Sequence, residues 1–185
     1  TATPFFKTIN IMACPLTQAF DYECDDSIGG VKQGSILITQ LENLALTVVA
    51  GEVTVLTQVV ATDFYTYKVN KEIADVVSTE NFSEENGTFF VESVMNLMLS
   101  KLSKEKNTEL KLLASKPLAI IYQDNNGTYH IMGASDGARK VGGTNQSATG
   151  KAFGDLSGYT LGFTSREAHY PYTVDATVVA GLTIV

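Results

Sequence analysis

Short runs of β-branched and aromatic residues recur along most of the chain, with turn-forming residues between them. This pattern restricts the fold to one built mainly from strands. In the run SILITQL, residues 35–41, Ile36 and Ile38 fall on one face because successive strand side chains alternate. The segment PLAIIYQD is joined to TYHIMG by Asn-Asn-Gly at 125–127, which predicts a tight hairpin turn. Further strands are predicted at 52–61, 64–69, 71–80, 87–100, 138–143, 157–167 and 172–185.

The stretch 52–99 is interpreted as a long, extended hairpin. Its predicted strands lead into the polar segment NFSEENG, residues 81–87, and a long apolar strand returns from it. Two glutamates and two asparagines make this tip too polar for a protein core. We therefore expect an acidic tip that lies in solvent and is able to reach a neighbouring molecule.

One helix is predicted, over residues 101–116, because the spacing of apolar residues changes there from two to between three and four. Leu110, Leu113 and Ala114 would share a helical face, and Ser103 is the expected N-cap. With about nine or ten strands beside this helix, the predicted fold class is mainly β. It is a β-sandwich or open barrel with one flanking α-helix and a long β-hairpin.

The first eleven residues are interpreted as an N-terminal arm, and residues 12–185 as a single β domain. Phe5 and Phe6 make the arm more apolar than a free tail, so it is expected to dock, either on its own domain or on a neighbouring copy. Both alternatives remain open from the sequence. The candidate residues for contact between subunits are Phe5, Phe6, Asn81, Phe82, Glu84, Glu85 and Asn86.

Composition excludes several classes of function. The chain has 185 residues, of which 44% are hydrophobic, enough to bury a core. Its net charge of −7 opposes tight binding to a polyanion, so we do not expect a nucleic-acid-binding protein. No apolar run approaches the roughly 18 residues of a membrane span. The first ten residues lack the apolar stretch of a signal peptide, so none is expected there.

The segment around Gly150 and Lys151 is similar to a nucleotide-binding P-loop but fails its pattern. The motif requires Gly where this chain has Asn145, and Ser or Thr where it has Ala152. A strand is expected to follow, so no helix N-terminus would face a phosphate. The nucleophile pattern G-x-S-x-G occurs once, in GASDG at residues 133–137, but this segment is interpreted as a turn between strands, whereas a nucleophile elbow joins a strand to a helix. We therefore expect neither an enzyme nor a bound cofactor.

The remaining reactive residues have simpler interpretations beside the functional ones. Cys14 and Cys24 are free thiols, a disulfide or part of a metal site, in that order of preference. His130 and His169 are expected to be structural residues in strands, with a general base as the alternative. One carboxylate cluster is either a solvated acidic edge or a site for a hard cation. Its members are Asp21, Glu23, Asp25 and Asp26.

Three stretches, taken in order, carry a resemblance to a known group of proteins. They are MACPLTQAFDYECDDSIGGVKQ at 12–33, ENGTFFVESV at 85–94, and a block from ELKLLASKPLAIIYQDNNG at 109–127 to GTNQSATGKAFGDLSGYTLGFTSRE at 143–167. Together they resemble tail-tube-like structural proteins of tailed phages that infect Bacteroidetes, crAss-like phages among them. In the first stretch the matching residues are Cys14, Cys24, Asp25, Gly29, Gly30 and Lys32.

The resemblance implies a virion protein that oligomerises into a ring, with rings stacked into part of a tail tube or neck conduit for DNA. The implied partners are further copies of the chain and neighbouring tail, portal or capsid proteins. Genomic DNA would pass through without specific binding, and no membrane would be involved. The implied location is the phage particle, made in the cytoplasm of the bacterial host. The segment before Met12 departs from the resemblance as an added extension.

Two alternatives to a ring protein of the tail remain open. A capsid auxiliary or decoration protein of the same virion would also be small, β-rich and acidic. A carbohydrate-binding adhesin module would use exposed aromatic rings to contact sugars. The tyrosines considered for that role are Tyr65, Tyr67, Tyr159, Tyr170 and Tyr172.

Overall fold

The computed structural model describes residues 27–59, 63–141 and 144–185. The arm with Phe5 and Phe6, the two cysteines and the acidic cluster at 21–26 lie outside the described residues. Within the described ranges the chain forms strands β1 (Ile36–Gln40), β2 (Leu44–Val49), β3 (Glu52–Gln58), β4 (Tyr65–Tyr67), β5 (Ala74–Ser83), β6 (Thr88–Ser100), β7 (Leu118–Gln123), β8 (Tyr129–Met132), β9 (Arg139–Lys140), β10 (Gln146–Ala148), β11 (Gly158–Glu167) and β12 (Tyr172–Val174). The helices are a 3-10 turn (Leu41–Asn43), α1 (Lys104–Leu112) and α2 (Ala176–Ala180).

These strands form two sheets. Seven of them make the central sheet, in the order β2-β3-β12-β8-β7-β1-β4. The outer sheet has the order β10-β11-β6-β5, and β9 pairs with β11 beside β10. All pairs are antiparallel except β12 with β3, where Thr173 lies opposite Glu52. The mainly β prediction with a flanking helix is therefore confirmed.

Strands β1 and β7 form the middle of the molecule and are buried on both faces. Ile36 to Thr39 are all buried, as are Leu118 to Tyr122. One face of each strand packs towards the outer sheet, through residues such as Ile38 and Ile120, in a core shared with Met95, Leu97 and Phe163. Continuous apolar runs such as SILIT and PLAIIY are the expected pattern for strands covered on both sides.

The opposite face of the central sheet covers a second core, which includes Leu37, Ile121, Phe64 and Val179. The sheet curls around this core, and the last residues of the chain run along its β4 edge. Phe64 N donates to Thr183 O at 2.9 Å, and Val185 N donates to Phe64 O at 2.8 Å. The free edge of β4 is therefore partly covered by residues 183–185.

Helix α1 closes one end of the space between the two sheets. Ser103 is its N-cap, as predicted, and its hydroxyl accepts a hydrogen bond from Lys106 N at 3.3 Å. Tyr159 from the outer sheet donates to Asn107 Oδ1 at 2.6 Å, and Lys140 donates to the Leu110 carbonyl at 3.2 Å. The helix is shorter than the predicted 101–116: it begins at Lys104, ends at Leu112, and has Leu113 as its C-cap.

Three predictions of individual elements are wrong. The predicted hairpin at 52–99 is two structures: β3 and β4 belong to the central sheet, and the long hairpin is β5 with β6. The predicted strand at 172–185 continues as helix α2, where Asp175 accepts hydrogen bonds from both the N–H and the hydroxyl of Thr177. Strand β10 lies in what was predicted to be a loop.

Candidate functional site

The hairpin of β5 and β6 is long and regular, and side-chain contacts hold it near its middle. Ten consecutive residue pairs join the two strands without a shift in register. Ser78 and Ser93 share a hydrogen bond across the strands at 2.8 Å between their hydroxyls. Tyr170, from the connection between β11 and β12, donates its hydroxyl to Glu80 Oε1 at 2.8 Å. These contacts favour a stiff projection over a flexible loop.

The core-facing side of this hairpin continues past the core into solvent. Along β6 the side chains of Val91 and Met95 are fully buried, and Phe89 lies on the same face two residues before Val91. Phe89 is nevertheless 47% exposed, and its cross-strand partner Phe82 is 68% exposed. The end of the hairpin therefore presents two phenylalanine rings that the described residues cover only in part.

The structure brings together most of the residues predicted at the tip. Phe82 precedes the turn, Glu84 and Glu85 are exposed within it, and Asn86 donates from its side-chain amide to the Ser83 hydroxyl at 3.3 Å. Asn81 is half-buried, pairs with Phe90, and donates to the Thr79 carbonyl. We call Phe82, Glu84, Glu85 and Phe89 the hairpin tip.

Phe89 and Phe90 were missed by the sequence reasoning. Their partners depend on the register of the hairpin, and a turn centred between Glu85 and Asn86 would have identified the pair of Phe82 with Phe89. The NFSEENG segment was interpreted by its polarity alone, and polarity carries no information about register.

Strand β5 is an edge strand of the outer sheet, and no described strand pairs with its outer side. It has ten residues with the sequence ADVVSTENFS, with no Lys, Arg or Pro and no bulge. Val77 on its outer face is 55% exposed. Soluble monomers commonly protect such an edge with lysine, proline, a bulge or a short length. None of these four devices is present in β5, whose charged residues are the acidic Asp75 and Glu80.

A groove lies beside helix α1, at the other end of β6 from the hairpin tip. It consists of two adjoining cavities of about 480 and 210 Å³, which share Tyr65, Tyr67 and Glu109. Burial, and then the nearby Glu109 carboxylate, raise the pKa of Tyr67, whose hydroxyl donates to Glu109 Oε1 at 3.4 Å. We call this the α1 groove. Its lining residues include Tyr65, Tyr67, Met98, Lys106, Glu109 and Leu112.

The tyrosines considered for sugar contacts do not form one surface. Tyr65 and Tyr67 line the α1 groove, but Tyr159 is buried and holds the helix. Tyr172 stacks on His169, with ring centroids 3.8 Å apart, and Tyr170 binds Glu80. Only the first two of the five therefore share a cavity wall.

His169 has a serine neighbour in Ser135, the central residue of the GASDG segment, although the sequence does not indicate that the two are paired. The Ser135 hydroxyl lies 3.1 Å from His169 Nε2, and His169 Nδ1 lies 2.8 Å from the Tyr170 carbonyl oxygen. Two backbone donors of the same loop, Gly133 N and Ser135 N, already donate to the buried carboxylate of Glu167 at 3.2 and 2.6 Å. A reacting oxyanion would find these two donors occupied, so the arrangement favours a structural role for the pair.

His130 lies against an aromatic ring and a carboxylate. Its ring stacks on Tyr122 with centroids 5.3 Å apart, and its Nε2 is 3.4 Å from Asp124 Oδ2. Burial, and then the charge of Asp124, raise the pKa of Tyr122 to about 12. His130 is half-buried on β8, which fits the structural role expected from the sequence.

The loop that is similar to a P-loop uses its amides internally. Lys151 N and Ala152 N each donate to Asp155 Oδ2 at 2.8 Å, and these bonds lower the pKa of that carboxyl. A phosphate would have to displace a carboxylate that already holds both donors. The next regular element is strand β11, not a helix, which agrees with the sequence argument against a nucleotide site.

Within the described part of the chain, no group of three or more His, Cys, Asp or Glu side chains is placed to hold a metal ion. In the same residues, no helix is long and apolar enough to span a lipid bilayer. Comparison of the chain with protein-family models, with curated proteins and with solved structures finds no match.

Proposed function

We propose that this chain is a structural protein of a tailed phage particle, whose copies join side by side into rings that form part of the tail tube or neck conduit for DNA. The observation that carries the side-by-side assembly is the open edge of β5. The assignment to a phage particle is supported by the order of sequence motifs between residues 12 and 167.

The two edges of the outer sheet suggest how copies would join. Strand β5 lies at one edge and β10 at the other, and the three residues of β10 are all exposed. Pairing β5 of one copy with β10 of the next would extend the sheet across subunits. A contact between two different surfaces produces a closed ring when the rotation that relates one copy to the next is a whole fraction of a full turn. The net charge of −7 would let DNA pass without adhering.

The test is a pair of lysine substitutions on the outer face of β5, Val77→Lys with Thr79→Lys. Both residues are exposed, and lysines on an edge strand oppose pairing with another chain. We expect the wild-type protein at high concentration to form rings in negative-stain electron micrographs. The variant should stay monomeric by light scattering, with an unchanged melting temperature.

The chain offers a matched control in β3, which has the same Val-x-Thr spacing. Val55 is 50% exposed and Thr57 is exposed, and both pair with β2 in the central sheet, away from the two edges of the outer sheet. Val55→Lys with Thr57→Lys should leave the rings intact. Wild-type protein that remains monomeric at every concentration would refute the proposal, as would rings that persist in the β5 variant.

A further inference from the structure

We propose that the hairpin tip of one copy docks in the α1 groove of a second copy, and that this contact stacks one ring on the next. The inference rests on the proposed function, because it requires rings. It adds the identity of the surface that receives the tip.

The tip has the chemistry of an anchoring group. Its two phenylalanine rings, Phe82 and Phe89, lie side by side and exposed, next to the acidic turn with Glu84 and Glu85. Aromatic anchors that fill a pocket commonly dominate the energy of protein interfaces. A complementary surface would therefore offer an apolar, aromatic recess with positive charge at its rim.

The α1 groove matches both requirements. Tyr65 and Leu112 on its wall are large apolar side chains that remain exposed. The segment 101–116, which contains α1, has five lysines and two glutamates, a formal charge of +3 in a chain whose total is −7. Two lysines, Lys68 and Lys106, line the groove itself beside a single acidic side chain, Glu109, and Lys68 is exposed. Opposite charges on two contacting surfaces steer association and fix its orientation.

The geometry prevents a copy from filling its own groove. Strand β6 joins the two sites: Thr88 begins it beside the tip, while Met98, Leu99 and Ser100 line the groove at its end. Its 13 residues span roughly 40 Å in extended conformation, and ten of them are paired with β5. The tip must therefore meet the groove of another copy, and the contact runs head to tail.

The first experiment uses two variants with one defective surface each. Phe82→Ser with Phe89→Ser removes the two rings of the tip, and Lys68→Glu with Leu112→Glu places negative charge in the groove, where it would repel the acidic tip. We expect each variant to form single rings that do not stack, with the weight-average mass of assemblies at least tenfold below that of wild-type tubes. Phe153→Ser, which removes a fully exposed phenylalanine from the 149–157 loop, should leave tubes unchanged.

Mixing the two variants separates this inference from a general loss of stability. The tip variant retains a good groove and the groove variant retains a good tip, so the mixture should yield stacks of two rings in micrographs. Longer tubes should not form, because each stack would then expose only defective surfaces. A mixture that contains single rings only would overturn the inference.

A photo-crosslinking phenylalanine analogue at position 82 identifies the receiving surface directly. In assembled protein it should form crosslinks between copies to peptides containing residues 65–67 or 104–112. Crosslinks to any other region, or tip-variant tubes as long as the wild type, would contradict the inference while leaving ring formation in place. If the wild-type protein forms no rings at all, both proposals fail together.

Discussion

Glu167 is a carboxylate buried where the end of β11 meets the loop after β8. Its two oxygens accept hydrogen bonds from Gly133 N and Ser135 N, so one side chain ties the outer sheet to the central sheet. In Glu167→Gln, one of these backbone donors would face the amide N–H₂ instead of an oxygen. We expect a loss of about 2 kcal/mol in the free energy of unfolding, measured by urea denaturation at low protein concentration.

The matched control for Glu167 is Glu92, a glutamate on the neighbouring strand. Its carboxylate is 2.9 Å from Arg166 Nε, but the arginine is largely exposed. Exposed ion pairs contribute up to about 1 kcal/mol, so Glu92→Gln should have the smaller effect. Equal losses in the two variants would show that burial of the Glu167 carboxylate does not determine its contribution.

At the scale of single elements, the start of β11 depends on a glycine. A Cβ atom added to Gly158 would lie 2.2 Å from the carbonyl oxygen of Leu99, a backbone atom of β6. Gly158→Ala should therefore force the two strands apart and destabilise the protein by about 1–3 kcal/mol. A Cβ atom at Gly154, in the preceding loop, would meet nothing within 4 Å, so Gly154→Ala should leave the melting temperature nearly unchanged. Equal melting temperatures for the two variants would contradict the steric argument.

Elements with local signals were predictable from the sequence. The hairpin of β7 and β8 turns at the Asn-Gly pair as predicted, because the conformation of a tight turn depends on its own residues. Leu44, Leu46 and Val48 alternate along β2, and this usable signal was missed. Helix α2 was not predictable, because its Thr-Val-Val sequence favours a strand. Val179 is instead buried in the second core, so tertiary packing overrides that local preference.

The candidate site was predictable only in part, because one of its two surfaces depends on tertiary contacts. The acidic turn of the hairpin tip is visible in the sequence as a polar interruption between two apolar runs. The α1 groove is not, because it joins β4, α1 and the end of β6, which are brought together only by the tertiary fold. No periodicity along the chain records which distant strands become neighbours.

At the scale of the whole molecule, the arm at 1–11 provides a test of assembly that is independent of the sheet edges. It lies outside the described residues, and its two phenylalanines are expected to dock on a neighbouring copy or on their own domain. If they dock on a neighbour, removal of residues 1–11 should reduce ring formation in light scattering while the melting temperature of the monomer stays the same. Equal losses in both measurements would place the arm on its own domain.

The position of β12 within the central sheet determines when that sheet can be completed during synthesis. Residues 172–174 lie between β3 and β8, so until they leave the ribosome the sheet consists of two separate fragments. Each fragment ends in a strand, β3 or β8, whose backbone hydrogen-bonding groups stay unpaired until β12 is present. Nascent chains on neighbouring ribosomes of one messenger RNA could pair through these strands. Slow translation of the codons just before those of β12 would prolong that exposure, and a chaperone that shields unpaired strands would shorten it.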